Sequence, residues 1–174
     1  MRVPPTGLVL LLLSLGGCRN PKVPMTPSPT PMSHAQGVPL DPKDHQPVLL
    51  GVADRAALLA HRAVFQDNLA RLTLLPEWKA RWQAIDTPVT LVVAFGSWCG
   101  DTHRELPDLL ALMEVPNPFV RVRFIGVARD KRADATCWPD GVAPEPILKV
   151  PTLWAYRLEP GGTWKLRLSI SRRS

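Results

Sequence analysis

Cysteine is scarce: the chain of 174 residues has three, Cys18, Cys99 and Cys137. That is too few for a disulfide scaffold, and a chain of this length can bury a core without one. No apolar run is long enough to span a bilayer, which takes about 20 residues in a helix. The best candidate, Gly7 to Leu15, reads only GLVLLLLSL. No basic run interleaves with aromatics, because the net charge of +6 is spread over positions such as Arg121, Arg123, Arg129, Lys131, Arg132, Lys165 and Arg167. This excludes a nucleic-acid interface and leaves a solvated or membrane-facing positive surface. Finally, no second cysteine follows Cys99 at the spacing of a C-x-x-C pair, since Thr102 stands there.

The N-terminus has what the rest lacks. Arg2 supplies a positive start, Gly7 to Leu15 a short apolar core, and Gly16 and Gly17 small residues before Cys18. This is the layout of a secretory signal. Leu15-Gly16-Gly17-Cys18 resembles the bacterial lipobox, which implies lipidation of Cys18 and removal of residues before it. Several acyl chains, at about 0.8 kcal/mol per buried CH2, make a stable membrane anchor. Arg19, in place of an aspartate, resembles the enteric pattern that sorts lipoproteins to the outer membrane. The expected location is therefore the bacterial cell envelope, lipid-anchored, facing the periplasm, where disulfides persist.

The 20 prolines are roughly double the usual share. Residues 19–47 carry many of them (Pro21, Pro24, Pro27, Pro29, Pro31, Pro39, Pro42 and Pro47) among polar side chains. Such a segment buries too little to offset its ordering entropy, so a Pro-rich disordered tether is expected there. It can hold a domain roughly 90 Å off a surface. A single domain is expected over 48–174.

Within it, helical spacing runs from Asp54 to Leu72 and from Pro76 to Ile85. VTLVVAF, Val89 to Phe95, is a β-branched run suited to a strand covered on both faces. Cys99 to Val115 follows as a helix, with Leu106, Leu109, Leu110 and Met113 on one stripe. A second strand is expected over Phe119 to Val127, then a long loop from Ala128 to Lys149. Thr152 to Arg157 and Trp164 to Ile170 form a hairpin about Pro160, Gly161 and Gly162. Strand-helix-strand implies a parallel crossover, and the hairpin an antiparallel addition, giving an α/β fold with a mixed sheet.

Cys99 falls where the buried strand hands over to a helix, and first-turn N–H groups with the helix dipole favour a thiolate there. The thiolate is the nucleophile of disulfide exchange. Asp101 in the same turn opposes it unless its carboxylate points away. Pro107, inside the helical stripe, removes a helix hydrogen bond, and Val150-Pro151 before the third strand is a candidate cis peptide.

Trp98-Cys99-Gly100-Asp101-Thr102, Pro107 eight residues past the cysteine, Val127-Ala128-Arg129-Asp130-Lys131 and Val150-Pro151-Thr152 together resemble the thioredoxin superfamily. The match is to its W-C-G-D-S/T members and covers about Leu75 to Ile170. The resemblance implies a thioredoxin-like three-layer fold, here lacking the usual C-terminal helix, with the helices between Asp54 and Ile85 covering the sheet instead. It assigns Cys99 as catalytic nucleophile. The substrate groove is formed by Trp98, Gly100, Asp101, Thr102, Val150 and Pro151. Pro151 is the cis-proline and the backbone of Val150 pairs with substrate. Thr102 replaces the resolving cysteine and at most hydrogen-bonds the sulfur, while Val93 replaces a buried acid.

The implied activity is single-cysteine thiol-disulfide exchange on exported protein thiols or disulfides. Release comes from an external reductant or low-molecular-weight thiol, or from Cys137. No cofactor is expected, and the membrane is met through the lipid anchor. Two other readings stand beside it: a non-catalytic binding or scaffold lipoprotein, and copper binding through Cys99 and His103, which are spaced i, i+4 on one helix. A peroxidase would need threonine at position 96, which is Gly96.

Overall fold

The computed structural model describes residues 39–171. Cys18, the signal segment and most of the expected tether lie outside the described residues. The chain is α/β, with a five-stranded mixed sheet and four helices. The order is β1 (Gly51–Ala53), α1 (Arg55–His61), α2 (Ala63–Ala70), α3 (Pro76–Gln83), β2 (Val89–Phe95), α4 (Gly100–Leu112), β3 (Val120–Gly126), β4 (Thr152–Leu158) and β5 (Trp164–Ser171). No helix among the described residues is long and apolar enough to cross a membrane.

Strands lie in the order β1-β3-β2-β4-β5. All seven residues of β2 are buried, as its unbroken apolar run requires of a central strand. It runs parallel to β3, from Val89 opposite Val120 to Phe95 opposite Gly126, so both strands end at one edge of the sheet. β4 lies antiparallel on its other side, and β5 completes the hairpin. Gly162 adopts φ +77 in the connecting turn, a conformation that glycine takes at no steric cost.

Alternation along the strands separates two cores. Leu91, Val93, Phe95, Phe124 and Leu153 face Leu58 of α1, Phe65 of α2, Trp78 and Trp82 of α3 and the α4 leucines. Val92, Ala94, Ile125, Val127, Trp154 and Tyr156 face Trp138 and Val142. All four helices therefore cover one sheet face. The third layer of the expected three-layer fold is present but not helical: it is irregular chain between β3 and β4, with a single 3-10 turn at Ala135–Cys137. Trp138 anchors it, its ring 5.1 Å from that of Trp154.

Three departures from the sequence expectation bear on function. The expected helix from Asp54 to Leu72 breaks at Arg62, which is extended (φ -143, ψ 131). From there the Arg62 guanidinium and the His61 ring both reach the carbonyl of Pro47. Strand β1, too short to be visible in the sequence, pairs antiparallel with β3. Most important, ordered contacts reach upstream of Val48, into residues 39–47 that were expected to belong to the tether. The N–H of Val48 donates to Pro39 O at 2.8 Å, Leu40 bridges Pro47, and Asp41 is fully buried. Composition averaged over 19–47 hides this, because one buried carboxylate outweighs the polar residues around it.

Gly126 shows how closely the N-terminal strap lies on the sheet. A Cβ there would sit 2.1 Å from the carbonyl oxygen of Leu49, a contact that no rotamer relieves. Gly126→Ala is therefore expected to destabilise the protein by about 2–3 kcal/mol in urea unfolding and to strip hydrogen-exchange protection first from β1.

Candidate functional site

At the shared end of β2 and β3 the chain turns from Phe95 into α4. The turn is closed by the N–H of Cys99 donating to Gly96 O at 2.9 Å, and the N–H of Val127 donating to Phe95 O at 2.9 Å. Cys99 is the N-cap of α4, in extended conformation and without a side-chain cap bond. Its half-buried thiol donates to the carbonyl of Val150, Sγ to O 3.5 Å, and the Val150–Pro151 peptide is cis. Residues 51 apart in sequence thus meet at the sulfur. Trp98, also half-buried, donates from Nε1 to Val127 O at 3.0 Å. Leu148, two residues before Val150, stands 76% exposed.

The segment carrying the thiol is fixed from the helix side too. Ser97 is fully buried; its Oγ accepts from the N–H of Leu49 at 3.1 Å, and its carbonyl accepts from Nε2 of His103 at 2.8 Å. His103 therefore points back toward the turn and packs edge-on against Phe65, rather than standing exposed as a bystander. Among the described residues no three His, Cys, Asp or Glu side chains are grouped to hold a metal ion.

Pro107 has no N–H to give the carbonyl of His103, four residues earlier in α4. Nδ2 of Asn68, on α2, supplies the missing donor at 2.8 Å. This pairing was not seen in the sequence, although a proline inside a helix does signal that some neighbour must satisfy the orphaned carbonyl.

The remaining expected groove residues divide. Gly100 is the exposed first residue of α4. Asp101 turns aside and ion-pairs with Arg104 one helical turn on, which offsets its charge near the sulfur. Thr102 is fully buried, and its hydroxyl has no hydrogen-bond partner, so it does not bond the sulfur as expected. Val93 is buried in β2 among helix-side apolar residues. Pro151 is buried at the start of β4.

Cys137 ends the 3-10 turn in the irregular layer, and both cysteines are free thiols bordering the same apolar cluster. Burial pushes the Cys137 thiol above its ordinary value, and the nearby Asp134 carboxylate adds to that. Its carbonyl is held by Arg123 at 3.2 Å.

Two residues outside the expected set complete the wall of the site. The guanidinium of Arg129 lies 4.5 Å from the Trp98 ring centroid and forms a two-pronged ion pair with the buried Asp41. Burial opposes ionisation of Asp41, but hydrogen bonds from Arg129, Lys43 and Asp44 and the Arg129 charge prevail and hold it below its ordinary value.

No family model matches the chain, and neither a characterised protein nor a solved structure matches it.

If Asn68 serves the carbonyl freed by Pro107, Asn68→Ala costs about 1 kcal/mol in urea unfolding, and that cost shrinks toward zero in a Pro107→Ala background, where the substituted residue supplies the N–H itself. Asp108, nearly buried on α4, is pushed from 3.8 up to about 6 by burial and by the Glu105 charge. A raised carboxyl stabilises the fold below pH 3.8 and loses that contribution as pH rises through about 6. At about 1.4 kcal/mol per tenfold change, discounted for residual solvation, Asp108→Asn gains about 1–2 kcal/mol above pH 7. Relative to the unaltered protein, that gain vanishes at pH 3.5.

Proposed function

We propose that this protein is a thiol-disulfide exchange protein of thioredoxin-like fold, anchored in the cell envelope through Cys18, with Cys99 as its nucleophile. The observation that carries the proposal is the meeting of Cys99, at the start of α4, with the carbonyl before the cis Val150–Pro151 bond. The layout of β2, α4 and β3 as a parallel unit, followed by the antiparallel β4 and β5, supports the fold assignment. The N-terminal helices share one core with α4 on the same sheet face.

In the exchange, the Cys99 thiolate attacks one sulfur of an exported protein's disulfide. A new S–S bond forms to Cys99, and the other sulfur leaves as a thiolate. Loss of the thiol proton also ends the hydrogen bond to Val150 O, freeing that carbonyl to pair with an extended substrate segment. Release of the mixed disulfide requires a second thiolate, because Thr102 is not a thiol. Cys137 is the weaker candidate, since burial and the Asp134 carboxylate push its thiol above its ordinary value. We assign release to an external low-molecular-weight thiol, which attacks the sulfur of the departing substrate and regenerates Cys99. Disulfide is exchanged without net oxidation.

Alkylation trapping in envelope fractions, resolved without reductant, tests the proposal. Mixed disulfides should appear with the unaltered protein and with Cys137→Ser, and vanish with Cys99→Ser. A Cys99 that stays reduced and forms no adduct would leave the groove as a binding surface without turnover. An intramolecular bridge lost in both variants would restore Cys137 as the resolving thiol.

A further inference from the structure

Trp98, the residue before Cys99, borders the same apolar cluster as the thiol, and three contacts fix its indole. Nε1 donates to Val127 O at 3.0 Å. Gly96 leaves the room it needs, because a Cβ there would lie 2.6 Å from the ring. Arg129 covers one face at 4.5 Å from the centroid. Of these, only the last depends on a long, flexible side chain, and among the described residues the Arg129 guanidinium is hydrogen-bonded by Asp41. Nε and one terminal nitrogen of its guanidinium meet the Asp41 carboxylate at 2.8 and 3.1 Å.

Asp41 is in turn fixed by its own loop. Its carboxylate accepts from the N–H groups of Lys43 and Asp44, its N–H donates to Gln46 O, and its carbonyl accepts from the N–H of His45. The loop is closed by the Pro39–Val48 bond and tied to the helices by His61 and Arg62 on Pro47 O. The same strap reaches the other side of the cysteine, where Leu49 donates to Ser97.

We infer that Asp41 and Arg129 are positioning residues of the Cys99 site: the strap that precedes the domain's first strand locks Trp98 in place through an Asp41–Arg129–Trp98 relay. A buried ion pair adds little net stability over an apolar substitute, so its effect here is geometric. Lysine cannot replace Arg129, because it lacks both the two-pronged fork and the flat face that stacks on an indole. The inference deepens the thiol-exchange reading of Cys99 and rests on it for its catalytic consequence, but the relay itself is a structural statement with its own readout.

The test uses the full chain and three variants, Asp41→Asn, Arg129→Met and the milder Arg129→Lys, each verified as folded by circular dichroism. Exchange of the Trp98 indole N–H, assigned by Trp98→Phe, is followed by NMR. Reaction of Cys99 is followed with a disulfide-linked dimer of a neutral pentapeptide and with iodoacetamide. Indole exchange should accelerate at least tenfold in all three variants. The peptide disulfide should react at least tenfold more slowly, while the small reagent changes less than twofold. Unchanged indole exchange in any folded variant overturns the relay. Accelerated exchange with unaltered peptide-disulfide rates overturns the positioning role. If the unaltered Cys99 ignores the peptide disulfide while indole exchange accelerates in the variants, the relay stands and the thiol-exchange reading fails.

Discussion

Strand β2 has no face left for water, and the rest of the architecture follows from that constraint. Its seven buried residues demand apolar cover on both sides. At about 25 cal/mol for each Å² removed from water, leaving either face open would forfeit several kcal/mol. The helices supply one cover, and the irregular layer about Trp138 supplies the other. A strand so enclosed can release the chain only at its ends. Because β3 runs parallel to it, the C-terminal ends of both lie together. Cys99 sits at that edge, within reach of Val150, because β4 begins antiparallel to β2 there, with Thr152 opposite Ala94.

Around this edge the polar interactions hold the backbone rather than presenting groups to solvent. Ser97, His103 and Asn68 form a chain of hydrogen bonds from the cysteine turn to α2, and Asn68 repairs the defect that Pro107 makes in α4. The strap adds Leu49 on Ser97 and Asp41 on Arg129. Among the described residues the sulfur donates one hydrogen bond, to Val150 O, and Ser97 and Trp98 before it are held by hydrogen bonds of their own. Such an arrangement suits a nucleophile that must be held still while its partner is extended and mobile.

Much of this was legible in the sequence. The apolar run of β2, the stripe of α4 and the Pro-Gly-Gly turn between β4 and β5 each follow from local periodicity or turn chemistry, and all three formed where expected. Trp98-Cys99 and Val150-Pro151 were linked by resemblance, and the structure joins them. What was not legible depends on contacts between distant positions. Asp41 and Arg129 are 88 residues apart, and nothing local to a Pro-rich stretch marks one aspartate as buried. The break at Arg62 has no glycine or proline to announce it; it serves contacts to Pro47 that the chain makes only when folded. The segment between β3 and β4 carries no helical spacing beyond one short turn, and its covering role rests on Trp138 meeting Trp154 across the sheet face.

The proposal that Cys99 is the nucleophile requires folding to favour reaction at Cys99 over Cys137. Residue-resolved labelling by mass spectrometry, with a peptide disulfide as the reagent at pH 7, measures this directly by comparing the native full chain with the chain unfolded in urea. The account predicts that folding accelerates mixed-disulfide formation at Cys99 and slows it at Cys137. A Cys99 that reacts more slowly in the native protein than in the unfolded chain would contradict it.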